Sequence, residues 1–405
     1  MDSSSDCLVM AKPAGPRCNQ VCGYCYYLGT AALSPKAPGR MSEEFLERYV
    51  AQRLEASLGP VTHFEWHGGE PTLLGLEYFK AIARMEKKLC PSDRRITNGL
   101  QTNGLLINEA WAEFLGREAW TVGLSLDGPA QLHDKYRRTA EGGPTQTRVL
   151  RAYETLRKRE VFTNVLCVVH EANAVRPDDV YGFFRELGVS FLQFLPLVTP
   201  ASEGLPHPAA ASPEVIGDFL CRVFDLWIAS DVGRIVVQTF DEALRPIYGI
   251  PHALCIHRET CGDAAILERD GGFFACDHFV DPEHLIGNIK ERSIASLAAD
   301  PRMSAFGLAK RAALPRCCAD CEVLAFCNGG CPKDRISRSA DGEIGLNYLC
   351  PAYKRFFSHC KPELERLAAH MKSGHKLRDF KNVTAPRTVN SGRRNDGPSP
   401  GFRQS

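Results

Sequence analysis

Apolar and polar positions along the first 240 residues follow two rhythms that take turns. Val61-Thr-His-Phe-Glu-Trp66 alternates with period two, as a strand with one buried face does. Residues 163–169, Thr-Asn-Val-Leu-Cys-Val-Val, form a β-branched run of the same kind. Shorter runs at 7–12, 96–101, 121–126, 190–197 and 235–240 read as further strands. Between them the pattern turns helical at 42–58, 75–89, 108–116, 145–160, 177–187 and 213–230. Start and stop signals agree: Ser42 followed by Glu43 and Glu44, Ser212-Pro213, and Gly188 after the helix at 177–187. Strands that alternate with helices at this pitch predict an α/β fold with a parallel sheet. Six or seven such units suit a complete or partial barrel, here a partial (β/α)6-type TIM barrel; a flat doubly wound sheet is the alternative. In a barrel the chemistry belongs at the C-terminal ends of the strands.

From about residue 250 the texture changes, as cysteines crowd in and loops replace β-branched runs. A hairpin is expected at 264–276, turning at Asp270-Gly271-Gly272, and a last helix at 353–372. The polar, mildly basic stretch after His375 reads as disordered. This divides the chain into a barrel at 1–245, a cysteine-rich domain at 246–374 and a tail at 375–405. No short repeat is seen beyond the βα alternation. At 405 residues the chain can bury a large core. A net charge of +1 gives no footprint for bulk nucleic-acid binding. No run of 18 apolar residues predicts a membrane span. The start, Met1-Asp2-Ser3-Ser4-Ser5-Asp6, lacks a signal peptide's basic and apolar regions, so a cytoplasmic protein is expected.

Seventeen cysteines change the picture, because disulfides are disfavoured in the cytoplasm and clustered thiols there hold metal. Cys18, Cys22 and Cys25 follow the first strand at a C-x3-C-x2-C spacing. Three thiolates on one loop can hold three irons of a 4Fe–4S cube and leave the fourth open to a small molecule. A zinc knuckle or buried structural thiols are the alternatives. A second set comprises Cys255, Cys261 and Cys276, then Cys318, Cys321, Cys327 and Cys331, then Cys350. Eight thiols suffice for two fully ligated 4Fe–4S clusters, with zinc ribbons the competing reading. Cys317 stands beside Cys318, and the x2 spacing to Cys321 selects Cys318. Cys7, Cys90, Cys167, Cys221, Cys317 and Cys360 read as structural thiols. Oxygen-sensitive clusters would suit an anaerobic or low-oxygen cell.

Three polar turns close predicted strands: His67-Gly68-Gly69-Glu70-Pro71, Gln101-Thr102-Asn103-Gly104 and Ser125-Leu126-Asp127-Gly128. Together with the cysteine triplet they resemble the motifs of radical S-adenosylmethionine enzymes, in which the open iron binds the amino and carboxylate groups of S-adenosylmethionine. The resemblance implies that Gly69, with Gly68 close by, contacts the methionine amino group. It implies that Ser125 meets the ribose or carboxylate end, that Arg137 pairs with the carboxylate, and that the Tyr24 backbone approaches the adenine. Arg138 is a rival for the carboxylate. Leu195 packs on the adenine or belongs to the barrel core.

The second half resembles the SPASM extension of peptide-modifying radical enzymes. That resemblance implies two interleaved clusters, one on Cys255, Cys261, Cys276 and Cys331, the other on Cys318, Cys321, Cys327 and Cys350. Narrower still, Cys276-Asp277-His278-Phe279-Val280, Leu285-Ile286-Gly287-Asn288-Ile289, Cys327-Asn328-Gly329-Gly330-Cys331-Pro332-Lys333-Asp334 and Leu346-Asn347-Tyr348-Leu349-Cys350 resemble anaerobic sulfatase-maturating enzymes, over about residues 7 to 372. Such enzymes turn a cysteine or serine of a sulfatase into Cα-formylglycine. The implied cofactors are three 4Fe–4S clusters and S-adenosylmethionine. The implied partners are a sulfatase polypeptide with a Cys/Ser-x-Pro/Ala-x-Arg motif and a low-potential donor such as ferredoxin or flavodoxin, with no nucleic acid and no membrane. Asp277 is the expected base; a surface Asp capping a turn is the plain alternative. Two other functions stay open: another SPASM peptide modifier that forms thioether or carbon–carbon crosslinks, and a zinc or electron-transfer protein. The target residue, cysteine or serine, is also open.

Overall fold

The computed structural model describes residues 8–27, 39–198, 200–202 and 205–380. Cys7 and positions 381–405 of the expected tail lie outside the described residues. The first half runs β1 (Leu8–Lys12), α1 (Glu43–Ala56), β2 (Val61–Trp66), α2 (Leu76–Leu89), β3 (Arg95–Thr102), α3 (Glu109–Arg117), β4 (Thr121–Ser125), α4 (Ala130–Tyr136), α5 (Gln146–Lys158), β5 (Thr163–Val169), α6 (Glu171–Ala174), α7 (Pro177–Glu186) and β6 (Phe191–Pro196). The short pair β7 (Pro200–Ser202) and β8 (Leu205–Pro206) follows, then α8 (Pro213–Ser230), β9 (Val236–Val237) and α9 (Gln238–Tyr248). The second half holds β10 (Ala264–Glu268), β11 (Gly272–Phe274), β12 (Leu285–Asn288), α10 (Ile294–Ala298), α11 (Pro301–Ala312), α12 (Leu324–Cys327), β13 (Ser337–Arg338), β14 (Ile344–Leu346) and α13 (Cys350–Lys372).

Side chains cap the starts of several helices. Ser42 accepts a hydrogen bond from the Phe45 amide at 3.2 Å, and Ser212, followed by Pro213, accepts one from Val215 at 3.4 Å. Ten of the strands form one sheet in the order β12-β11-β10-β1-β2-β3-β4-β5-β6-β9, and β7-β8 and β13-β14 are separate two-stranded pairs. Every pairing from β10 to β9 is parallel, while β10-β11-β12 form an antiparallel meander. The parallel part is the partial barrel. The expected hairpin is present, but it is not confined to a separate domain. β10 lies along β1 in register from Leu8↔Ala264 to Lys12↔Glu268, so one sheet crosses the expected boundary at 245/246.

Three of the elements that differ from the sequence expectation are instructive. Of the strand expected over 235–240, only Val236–Val237 pairs, and Gln238 opens α9. An apolar run this short has no period of its own. Once the chain coils, Phe240 and Ala243 bury on one face, with Phe240 against the rings of Phe224, Trp227 and Phe356. The helix α4 has no side-chain cap to announce it. The helix α11, in a stretch read as loop, is started by Asp300, whose carboxylate accepts from the Arg302 amide at 3.0 Å, with Pro301 next.

Alternation along the strands divides two environments. Val165, Cys167 and Val169 of β5 are buried under the helices, while Leu166 and Val168 face a cavity on the other side. The cavity side of β3 and β4 is held open by small residues. A Cβ on Gly123 would sit 2.0 Å from Oε1 of Gln101.

Beneath the barrel, Glu86 of α2 accepts from Asn98 Nδ2 at 2.8 Å, and Asn98 accepts from Trp66 Nε1 at 2.8 Å. Burial pushes the Glu86 carboxyl up to about 8 from its ordinary 4.5. The folded-state value exceeds the unfolded one, so this group's contribution is most favourable below the unfolded value and is lost as pH rises towards about 8. Glu86→Gln removes the dependence. The variant should melt above the parent at pH 8 and close to it at pH 5, measured by anaerobic thermal unfolding.

Candidate functional site

The loop carrying Cys18, Cys22 and Cys25 leaves the C-terminal end of β1, and the ends of the neighbouring strands pin it. The Gly69 amide donates to Gly15 O at 2.8 Å and the Glu70 amide to Arg17 O at 2.8 Å. A side chain at Gly69 would put its Cβ 2.2 Å from Arg17 O, so the close approach requires glycine there. Gly68 sits at φ +128°, a conformation that L side chains rarely adopt. Glu70 is fully buried and accepts from Thr102 Oγ1 at 2.8 Å and the Asn103 amide at 2.7 Å, which ties the end of β2 to that of β3. Asn103 Nδ2 in turn reaches Asn19 Oδ1 at 2.8 Å.

Burial raises the Cys18 thiol and pushes Cys22 up to about 12, with Cys25 adding to both and Cys18 to Cys22. The thiols therefore sit close enough to repel one another as anions, the situation that a bound cation relieves. The Gln20 amide already points at Cys18 Sγ, 3.4 Å away.

A cavity of about 350 Å3 opens beside these thiols. Gly68, Gly69, Tyr24, Ser125, Arg137 and Leu195 all reach its wall. Ser125 Oγ accepts from Gln101 Nε2 at 3.2 Å. Arg137 is buried and its Nε donates to Asp127 Oδ2 at 2.8 Å. Asp127 also takes the Tyr24 hydroxyl. Arg138, the rival, bonds Gly142 O at 2.9 Å on the exposed side. Leu195 is 38% exposed, so it faces the cavity instead of packing in the core.

The far wall of the same cavity carries Asp277, His278 and Cys331. Asp277 contacts Lys12 Nζ and accepts from the Tyr26 hydroxyl at 2.5 Å. Lys12 is 0% exposed, lies 3.7 Å from the centre of the Tyr27 ring and stands 3.9 Å from Glu268. Burial opposes ionisation of Asp277, yet Lys12, with His67 and His278 around it, holds the carboxyl well below its usual range. Burial and the neighbouring Lys333 push His278 down to about 4, and burial lowers His67 too. Lys12 and Tyr26 were not singled out from the sequence. The signal available was a lysine closing an otherwise apolar strand, Leu8-Val9-Met10-Ala11-Lys12, at the end where a barrel keeps its chemistry.

The other cysteines gather in two groups. The Cys255 thiol lies within electrostatic reach of Cys261, Cys276 and Cys331, and Cys276 of Cys331, with Cys276 and Cys331 pushed up to about 12 by burial first. Cys318, Cys321, Cys327 and Cys350 line a second cavity of about 190 Å3. Two cations stand among these sulfurs. Lys310, 1% exposed, donates to Cys255 O at 2.6 Å, to Ile256 O at 3.0 Å and to Arg258 O. Arg335 reaches Lys310 O at 2.6 Å and lies near thiols of both groups. Grouped soft sulfur donors with cations beside them suit polynuclear iron–sulfur clusters, whose thiolate-bound form carries net negative charge.

Residues 13–184 match the Radical SAM superfamily and residues 255–322 the SPASM iron–sulfur cluster-binding domain. The cofactors are accordingly 4Fe–4S clusters and S-adenosylmethionine. The chain is 38% identical over 373 residues to a serine-type anaerobic sulfatase-maturating enzyme of Bacteroides thetaiotaomicron, covering 88% of this chain and 90% of the relative. It is 33% identical to a cysteine-type enzyme of Clostridium perfringens, covering 90% and 99%. A solved structure of native anSMEcpe with bound AdoMet and Cp18Cys peptide superposes with a TM-score of 0.80 at 32% identity, over 90% of this chain and 99% of that one. Streptococcus suis SuiB, at 15% identity and a TM-score of 0.58, shares the fold. No helix among the described residues is long and apolar enough to cross a membrane. The motifs, the cavity and this near full-length similarity agree: the chain belongs to the anaerobic sulfatase-maturating enzymes of the Radical SAM superfamily.

Proposed function

We propose that this enzyme oxidises a cysteine or serine of a sulfatase polypeptide, within a Cys/Ser-x-Pro/Ala-x-Arg motif, to Cα-formylglycine. The observation that carries the proposal is the single cavity running from the three-cysteine loop to Asp277, the residue after Cys276. When bound, the cofactors supply a 5′-deoxyadenosyl radical that takes a Cβ hydrogen and auxiliary clusters that can accept the second electron.

The chain's own groups do the rest. Cys18, Cys22 and Cys25 would hold the catalytic cluster. Gly69 with Gly68, Ser125, Arg137, Tyr24 and Leu195 would seat S-adenosylmethionine, with Leu195 offering the apolar contact. Cys255, Cys261, Cys276 and Cys331 would hold one auxiliary cluster and Cys318, Cys321, Cys327 and Cys350 the other. Asp277 accepts the thiol or hydroxyl proton as the electron leaves. Lys12 and the Tyr26 hydroxyl fix its direction, and a carboxylate so held is already ionised. Pairing with Lys12 weakens Asp277 as a base. The proton it must take, however, is acidified by the radical next door, so a weak base in the right place suffices. A cysteine target then gives a thioaldehyde that water converts to the aldehyde; a serine target gives the aldehyde directly.

In the same reading residues 1–245 form the radical core and 246–374 the auxiliary domain, joined by the shared sheet. The enzyme works in the cytoplasm with a low-potential donor such as ferredoxin or flavodoxin. Three 4Fe–4S clusters correspond to about twelve irons, and replacing Cys18, Cys22 and Cys25 together by Ala should leave about eight and end S-adenosylmethionine cleavage. Cleavage that survives would mean the active cluster lies elsewhere.

Asp277→Asn keeps the size of the side chain and loses the base. Incubated reduced with S-adenosylmethionine and a Cys-x-Pro-x-Arg peptide, it should still form 5′-deoxyadenosine while formylglycine falls about 10²–10⁴-fold. Asp281→Asn, whose side chain caps the turn at Pro282–His284 and can still do so, should keep the parental product ratio. Lys12→Met should shift the ratio as Asp277→Asn does, and Lys12→Arg should restore part of it. Mass spectrometry of both products decides, and an Asp277→Asn enzyme that makes formylglycine at the parental rate with its iron intact removes Asp277 as the base.

A further inference from the structure

The second auxiliary group needs four thiols and has a fifth beside it. Cys317 and Cys318 are neighbours in the 3-10 turn Arg316–Cys318. Both line the cavity whose wall also carries Cys321, Cys327 and Cys350. The thiols of Cys317 and Cys318 lie within electrostatic reach of each other, and Cys317 also within reach of Cys350. The turn is held at both ends. The Cys318 amide donates to Pro315 O at 2.9 Å and the Cys321 amide to Cys318 O at 3.2 Å. The Arg316 amide and its Nε reach the Glu343 carboxylate at 2.7 and 2.8 Å.

What differs between the two thiols is access. Cys317 is exposed, whereas Cys318, Cys321, Cys327 and Cys350 are partly buried. Successive residues of a 3-10 turn are about 120° apart, so one thiol at a time can point to a given corner, and a small rotation of the turn exchanges them. None of the other three corners has a cysteine next to it in sequence.

We propose that Cys317 is a reserve ligand of the second auxiliary cluster, able to take the corner held by Cys318. The exchange is thiolate for thiolate. One iron–sulfur bond to Cys318 breaks and one to Cys317 forms. The proton of the incoming thiol passes to the outgoing one, and no electron is transferred. The proposal rests on reading this group as a 4Fe–4S site, and the experiment separates the two.

Holoenzyme is prepared anaerobically, its iron counted, its clusters followed by Mössbauer spectroscopy, and its free thiols alkylated with iodoacetamide and mapped by mass spectrometry. The parent should carry about twelve irons, with Cys317 alkylated. Cys318→Ser should keep about twelve irons, with Cys317 now protected, while Cys321→Ser and the double variant Cys317→Ser/Cys318→Ser should each fall to about eight. A Cys318→Ser protein with about eight irons and an alkylated Cys317 overturns the proposal. Cys318→Ala repeats the test with a smaller side chain. If neither Cys318 variant folds while Cys321→Ser does, Cys317 cannot stand in and the proposal falls. If Cys321→Ser loses no iron, the cluster reading itself is wrong and the reserve ligand goes with it.

Discussion

The pairing of β10 along β1 is the constraint on which the functional architecture depends. Its register runs from Leu8↔Ala264 to Lys12↔Glu268. The strand that precedes the three-cysteine loop is thereby joined to the hairpin that leads to Cys276 and Asp277. Lys12 and Glu268, the last partners in that register, stand with Tyr27 and Asp277 in one charged group at the end of the two strands. Residues separated by some 250 positions in sequence meet because a few backbone hydrogen bonds set their relative height. A shift of one residue would turn Lys12 to the other face of the sheet.

The electrostatics follow from that placement. Burial penalises every ionised group near the cavity, and the structure meets the penalty with specific partners instead of solvent. Asp277 has Lys12; Asp127 has Arg137 and the amide of Val168 at 2.9 Å. Lys310 is surrounded by backbone carbonyls that no helix uses, so one ammonium both neutralises nearby thiolates and fixes the turn bearing Cys255. Burial lowers both histidines beside Asp277, which leaves Lys12 as the principal cation facing that carboxylate.

How much of this was legible beforehand depends on the range of the interaction involved. β2, with its strict alternation, and α8, with Ser212-Pro213 at its head, are written locally and appear where expected. The apolar run at 235–240 has too few residues to declare a period, and tertiary packing of Phe240 decided for helix. The cysteines and the Gly68-Gly69 turn were readable because their spacing is itself the chemistry. The partners of Asp277 were not, since Lys12 and Tyr26 reach it across the sheet and no pattern in the sequence records which strand lies beside which. Arg137 and Arg138 show the same limit within two residues. Composition and spacing treat them alike, and only the turn after α4 sends one inward to Asp127 and the other out to Gly142.

The position of β1 in the sheet carries a consequence for the integrity of the chain. It is an interior strand, with β2 on one side and β10, supplied by the second half, on the other. A chain ending near residue 245 would leave that side of β1 as a bare edge with its amides and carbonyls unpaired, and β-rich edges of this kind recruit other chains. Lys12 would lose its neighbours Glu268 and Asp277 at the same time, leaving a buried cation with no anion from the missing half. The barrel is thus not a module to which cluster-binding loops were merely appended. Its first strand is completed by a strand from the second half of the molecule, so a nascent chain holds an open edge until residues 264–268 have emerged and docked.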